Sequence, residues 1–294
     1  MKTYYKPESL TLTDEVRKTA KDGKFIALPS GVTHYKEEGA GENYVVLVHG
    51  YATPLFIYDK IADALVKEGY HVFRYDLYGR GLSDRIRTDY TARFLAEQLR
   101  EFVSATIPGK EFVLVGTSMG GIVTTTYISM FDPPVKKLIL LAPAGMRYRV
   151  PFIMRLAEKK GIGEILFALA KRRQERACAA EMLKSGAAAQ DEYRKKYSYY
   201  AQFKGLRSST LSSLRHTLLD FDSSLRAYEA VGKKGFPVLI IWGTEDKTMP
   251  YYQSAEMLKI IPRAKLITYK GSGHIFLYDE GERTSADILD FIKK

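Results

Sequence analysis

The stretch Val113-Leu114-Val115-Gly116-Thr117-Ser118-Met119-Gly120-Gly121-Ile122-Val123 decides the fold. It reads as a short apolar strand, then Gly-x-Ser-x-Gly, then a segment able to turn helical. That order suits a serine carried on a sharp strand-to-helix turn. A side chain there sits in a strained backbone conformation and points away from the sheet. Gly116 and Gly120 suit a place where strand and helix pass each other closely. The N–H of Met119 would lie at a helix N-terminus, where unpaired donors can meet a developing negative charge.

Working outward, apolar strands alternate with amphipathic helices. Tyr44-Val45-Val46-Leu47-Val48 is a continuous apolar run of the kind found in a strand covered on both faces. A helix is expected from about Pro54 to Glu68, a strand at Val72–Tyr75, a helix over 90–105 and a further strand at Lys137–Leu141. Upstream, residues 8–24 read as a polar amphipathic helix. Phe25–Leu28 and Val32–Tyr35 flank Pro29-Ser30-Gly31 as an edge hairpin. The alternation stops over 145–235, where only helical stretches rich in Ala, Leu, Arg and Lys occur. It resumes with a strand at Val238–Trp242, a helix near 251–260, a strand at Lys265–Tyr269 and a terminal helix around 281–293. The expectation is an α/β fold with a mostly parallel sheet covered by helices on both faces. Its core would comprise 1–144 and 236–294, with 145–235 as a helical cap insertion.

A serine hydroxyl is inert until a base takes its proton and an acid orients that base. His274, in Gly271-Ser272-Gly273-His274, follows the strand 265–269. Asp246, in Gly243-Thr244-Glu245-Asp246, follows the strand 238–242. With Ser118, both lie at the carboxyl ends of parallel strands, the edge where ligands bind in such sheets. Glu245 is the nearest substitute acid, with a different reach. The position after strand 138–142 offers only Ala142-Pro143-Ala144-Gly145. A second donor for a developing oxyanion is expected from His49-Gly50-Tyr51, placing the N–H of Tyr51 opposite that of Met119. His49 and Asp76 read as loop-tying residues, His34 and His71 as ordinary strand residues, and His216 as a candidate pocket liner.

His49-Gly50-Tyr51, Asp76-x-x-Gly79-x-Gly81-x-Ser83, Gly116-Thr117-Ser118-Met119-Gly120-Gly121, Gly243-x-x-Asp246-x-x-x-Pro250 and Gly273-His274 together resemble the α/β-hydrolase superfamily. The nearest branch is the capped one of monoacylglycerol lipases, small esterases and carbon–carbon hydrolases. The resemblance spans 25–144 and 236–294. It implies a catalytic triad of Ser118, Asp246 and His274, an oxyanion hole from the N–H groups of Tyr51 and Met119, and no metal or organic cofactor. Serine at position 118 departs from the haloalkane dehalogenase and epoxide hydrolase branches, which place Asp there. The implied reaction is cleavage of a carboxylic ester, with a monoacylglycerol or other lipophilic ester as the candidate substrate, through an acyl-enzyme on Ser118. Carbon–carbon hydrolysis on the same triad, or a ligand-binding role on a hydrolase scaffold, are the alternatives.

Composition limits the partners. The 294 residues are 46% hydrophobic and 27% charged, ordinary for a globular chain. Of the net charge of +11, most falls between Gly145 and Gly235, where 19 Lys/Arg face 9 Asp/Glu. Basicity confined to one insertion, without a reading motif, speaks against nucleic acid. Apolar stretches beside Arg155, Lys159, Lys160, Lys171, Arg172 and Arg173 instead suggest peripheral contact with an anionic membrane surface. The longest apolar run, near Leu138–Met146, falls short of the roughly 20 residues that span a bilayer. No signal-peptide pattern opens the chain, and the single cysteine, Cys178, allows no internal disulfide. A cytoplasmic protein acting on a small-molecule ester is the expectation.

Overall fold

The expected strands form one eight-stranded sheet in the computed structural model, which describes residues 4–20, 22–170 and 173–294. In chain order the strands are β1 (Lys24–Leu28), β2 (Gly31–Glu38), β3 (Asn43–Val48), β4 (Tyr70–Tyr75), β5 (Phe112–Thr117), β6 (Val135–Leu141), β7 (Val238–Gly243) and β8 (Lys265–Tyr269). Their spatial order is β1-β2-β4-β3-β5-β6-β7-β8. Only the β1–β2 and β2–β4 pairs are antiparallel, so the hairpin sits at one edge. From β4 to β8 every pair is parallel, and the ends that carry the candidate site share one rim. β5 and β7 are buried along their whole length, as strands covered on both faces must be.

The core helices are α2 (Asp59–Lys67), α3 (Ala92–Thr106), α4 (Met119–Phe131), α11 (Gln253–Ile260) and α13 (Gly281–Lys293), with a short α12 (Phe276–Asp279) after the His274 loop. The helix expected from Pro54 opens as a 3₁₀ turn over Leu55–Tyr58. Thr91 caps α3 by accepting from the N–H of Phe94.

The N-terminal expectation is corrected. In place of a helix over 8–24 the described residues form only α1 (Asp14–Thr19), capped by Thr13. None of its residues is buried, so no apolar face drives the helix further. Residues 8–10 are taken up elsewhere. The Glu8 N–H donates to Ala201 O and the Leu10 N–H to Gln202 O, while the Glu8 carboxylate accepts from the N–H groups of Gly205 and Arg207.

Residues 145–235 hold α5 (Phe152–Glu158), α6 (Ile162–Ala170), α7 (Arg173–Ala180), α8 (Ala187–Ala201), α9 (Leu206–Ser213), a π-helical turn (Leu214–Leu218) and α10 (Phe221–Gly232), with no strand among the described residues. The basic residues Lys171 and Arg172 lie outside the described residues. α10 packs on α4: Tyr228 is fully buried, its hydroxyl donates to Ala144 O at 2.6 Å, and a Cβ on Gly121 would meet it at 3.1 Å. Among the described residues, no helix is long and apolar enough to cross a membrane.

Candidate active site

Ser118 follows β5 directly and precedes α4, with φ 53° and ψ −121°. A non-glycine residue in that region is strained, and its surroundings must hold it there. Its N–H donates to Leu141 O at 2.9 Å, and its carbonyl accepts from Gly121 N at 2.9 Å and Ala144 N at 3.0 Å. The flanking glycines are small for the expected reason. A Cβ on Gly116 would lie 2.6 Å from Gly120 O, and one on Gly120 only 2.2 Å from Val48 O. Met119 opens α4.

His274 and Asp246 meet at the same rim. His274 Nδ1 and Asp246 Oδ2 are 2.7 Å apart, with the Asp246 side chain wholly buried. The other oxygen, Oδ1, accepts from Thr248 N at 2.9 Å and Met249 N at 2.6 Å, so the carboxylate cannot turn. Glu245 is exposed, and Asp246 is therefore the acid that reaches the imidazole. Burial alone would lower the His274 pKa. The charge and hydrogen bond of Asp246, with a further contribution from Glu181, outweigh it and hold the imidazole above its ordinary value.

The β3 loop lies against Ser118. A Cβ on Gly50 would stand 3.0 Å from Ser118 Cβ, so only glycine lets the loop approach this closely. Tyr51 is held at both ends: its carbonyl accepts from Arg80 Nε at 3.1 Å, and its hydroxyl donates to Thr210 O at 2.9 Å. The N–H groups of Tyr51 and Met119 have no hydrogen-bond partner among the described residues. His49 ties this loop as expected. Its Nδ1 donates to Gly50 O at 2.8 Å and its Nε2 accepts from Leu77 N at 2.9 Å. Burial pushes its pKa down to about 4, with Asp76 offsetting part of the effect, so it is neutral at ordinary pH.

Asp76 is a buried hub. Its oxygens accept from Leu55 N and Leu82 N, both at 2.9 Å. His34 is more than an ordinary strand residue. It is fully buried, with Nδ1 2.7 Å from Asp76 Oδ2 and Nε2 2.6 Å from Asp22 O. Its position on β2, opposite Phe25 of the hairpin, carried no sequence signal for this pairing. His216 lies 3.4 Å from Asp89 with its side chain 40% exposed, and it does not line the cavity below.

Ser118 and His274 open onto one cavity of about 480 Å³, within the range of roughly 300–1,000 Å³ usual for small-molecule sites. Apolar side chains dominate its wall, among them Ile57, Met154, Leu166, Phe167, Leu214 and Leu277. Its charged lining is Glu8, Glu175, Glu181 and Arg207, and Arg207 Nε sits 3.3 Å from Glu8 Oε2. Cys178 also lines it. Burial raises that thiol to about 11, too high for a thiolate nucleophile. Pro7 and Glu8 belong to the N-terminal segment, and nothing in their sequence pattern marked them as wall residues.

Residues 43–281 match the α/β hydrolase fold family. The chain belongs to the α/β hydrolases. It is 26% identical to a 2-hydroxy-6-oxononadienedioate/2-hydroxy-6-oxononatrienedioate hydrolase of Paraburkholderia phymatum, covering 96% of this chain and 99% of that one. It is 24% identical to monoacylglycerol lipase ABHD6 of Mus musculus, covering 84% and 75% respectively. Among solved structures it resembles an esterase from Exiguobacterium antarcticum. The TM-score is 0.77 at 21% identity, over 93% of this chain and all of that one, a likeness of fold alone. As an α/β hydrolase, the chain has the sheet order and rim described above in common with enzymes that differ in the bond they cut.

Proposed function

We propose that the chain is a serine hydrolase cleaving a neutral carboxylic ester with an apolar acyl part. The observation that carries this reading is the 2.7 Å contact between His274 Nδ1 and Asp246, beside the cavity that Ser118 also lines. With Nδ1–H donated to Asp246, the Nε2 lone pair is left to take the Ser118 proton as Oγ attacks the carbonyl carbon. The N–H groups of Tyr51 and Met119 receive the oxyanion. His274 then protonates the departing alcohol, and water, deprotonated by the same imidazole, releases the acid from Ser118.

The wall chooses the substrate class. Arg207 is paired with Glu8 and Glu175 with Arg194, so among the described residues the wall offers a dianion no uncommitted cation, and the Glu181 carboxylate opposes one, whereas the apolar side chains suit an acyl chain. This favours an ester over the dicarboxylate named for the Paraburkholderia relative. A panel of p-nitrophenyl esters from acetate to laurate, with a dicarboxylate diketone alongside, tests it. Turnover should peak at a medium acyl length. Cleavage of the diketone alone would move the assignment to carbon–carbon hydrolysis, and tight binding without turnover would make the chain a ligand-binding protein.

The insertion reads as a cap that also meets anionic membrane. α5 and α6 leave Phe152 74% and Leu169 69% exposed, with Ile153, Ile162 and Ile165 beside them. Exposed Arg149, Arg155, Lys159 and Lys160 border these residues, and none is in an ion pair among the described residues. Met154, Ala157, Leu166 and Phe167 of the same two helices line the cavity. Each suitably placed cation adds about 1 kcal/mol of attraction to anionic headgroups. Replacing Arg155, Lys159 and Lys160 by Gln should therefore weaken binding to phosphatidylserine vesicles by about a hundredfold. Equal binding of the wild type to neutral vesicles would rule out the electrostatic part.

A further inference from the structure

Glu181, the first residue after α7, touches both loops of the candidate charge pair. Its Oε2 accepts the backbone N–H of His274 at 3.2 Å and stands 3.5 Å from Lys247 N. Its Oε1 accepts from the Thr248 hydroxyl at 3.3 Å. Gly273 makes the approach possible, since a Cβ there would lie 2.3 Å from the Glu181 carbonyl oxygen and 2.9 Å from Oε2. The next turn fastens the same segment, with Lys184 N donating to Asp279 Oδ2 at 2.7 Å. One carboxylate from the helical insertion thus grips the loop after β7 and the loop after β8 together.

We propose that Glu181 is a positioning residue, holding the His274 and Asp246 loops at their working separation as long as the insertion is docked. The proposal rests on the triad reading of Ser118, Asp246 and His274. Among the described residues, the groups around His274 are few. Asp246 faces it from the β7 loop, Ser118 from the turn before α4, and Glu181 from the insertion. Lys247 offers its backbone, Lys184 stands beside Gly271, and Glu280 is taken by the Ser272 hydroxyl. Glu181 is accordingly the second negative charge acting on the imidazole, and it stabilises the imidazolium that forms during proton transfer. If the insertion lifts, that charge and the bridge leave together, and both loops lose a tie.

The test is an NMR titration of the His274 imidazole in wild type, Glu181→Gln, Glu181→Asp and Gly273→Ala, with the resonance assigned by His274→Asn. Glu181→Gln keeps the size and an acceptor oxygen but removes the charge, and should move the His274 midpoint to lower pH. Glu181→Asp should return it most of the way. Gly273→Ala, which must push the carboxylate off, should behave like Glu181→Gln. In ester turnover Glu181→Gln should lower kcat by about tenfold, with KM little changed, as expected for a charge-assisted hydrogen bond that orients the base. A midpoint in Glu181→Gln and Gly273→Ala equal to that of wild type overturns the proposal. Because the titration needs no turnover, an enzyme inactive on every ester with a shifted midpoint sinks the esterase reading and leaves the Glu181 bridge standing.

Discussion

Replacing Asp246 by Asn asks the site to work with its geometry intact and one hydrogen bond reversed. Oδ1 accepts from the N–H groups of Thr248 and Met249, so in Asp246→Asn the amide oxygen must occupy that position. The amide nitrogen then falls where Oδ2 now sits, 2.7 Å from His274 Nδ1. Two donors cannot face each other there. The imidazole moves its proton to Nε2, and the lone pair that should take the Ser118 proton disappears. The imidazolium also loses its counter-charge. A loss of this kind costs about 10⁴ in kcat, or roughly 5.5 kcal/mol of barrier. The assay is kcat on p-nitrophenyl butyrate, run beside thermal unfolding to show that the variant is folded. Activity within tenfold of wild type, in a folded variant, would refute the reasoning.

Other predictions follow from neighbouring residues. Because the His274 pKa is raised, kcat/KM should climb with pH through a single limb centred above the ordinary histidine value of about 6.5, and a limb centred below it would count against this base. His49 titrates near 4 when folded, so between pH 6.5 and 4 the unfolded chain binds a proton that the folded chain refuses, and stability falls as pH falls through that window. The loss comes to about 3 kcal/mol, and urea unfolding of wild type and His49→Gln at pH 7 and pH 4.5 should show a steeper decline in the wild type. Gly120→Ala places a methyl 2.2 Å from Val48 O and 2.7 Å from His49 O, which are backbone atoms that cannot swing away. It should cost about 1–3 kcal/mol in thermal unfolding and reduce turnover by displacing the Tyr51 loop.

The strands, and the placement of the candidate residues Ser118, Asp246 and His274 at one rim of the sheet, were legible because each is fixed by local chemistry. β5 is an apolar run leading into a glycine-flanked serine, Gly243-x-x-Asp246 ends the equally apolar β7, and Gly273-His274 follows the shorter, more exposed β8. Glycines needed for close approach left a trace at 116, 120 and 273 because contact there forbids a side chain. What long-range packing decides left no such trace. Glu8 reads as one polar residue of a helix until its carboxylate is seen capping the start of α9, almost 200 residues away. His34 looks like any strand histidine until Asp76 is found behind it. Glu181 is one acid among 9 in the insertion, and only the fold brings it to His274.

The central claim is that Ser118 is an activated nucleophile, and covalent capture tests it most directly. The chain should be incubated with a fluorophosphonate and digested, and the modified peptide sequenced by mass spectrometry. The account predicts one adduct per chain, on Ser118, formed far more slowly in His274→Ala and absent in Ser118→Ala. An adduct on another residue, or labelling that survives Ser118→Ala, would contradict it.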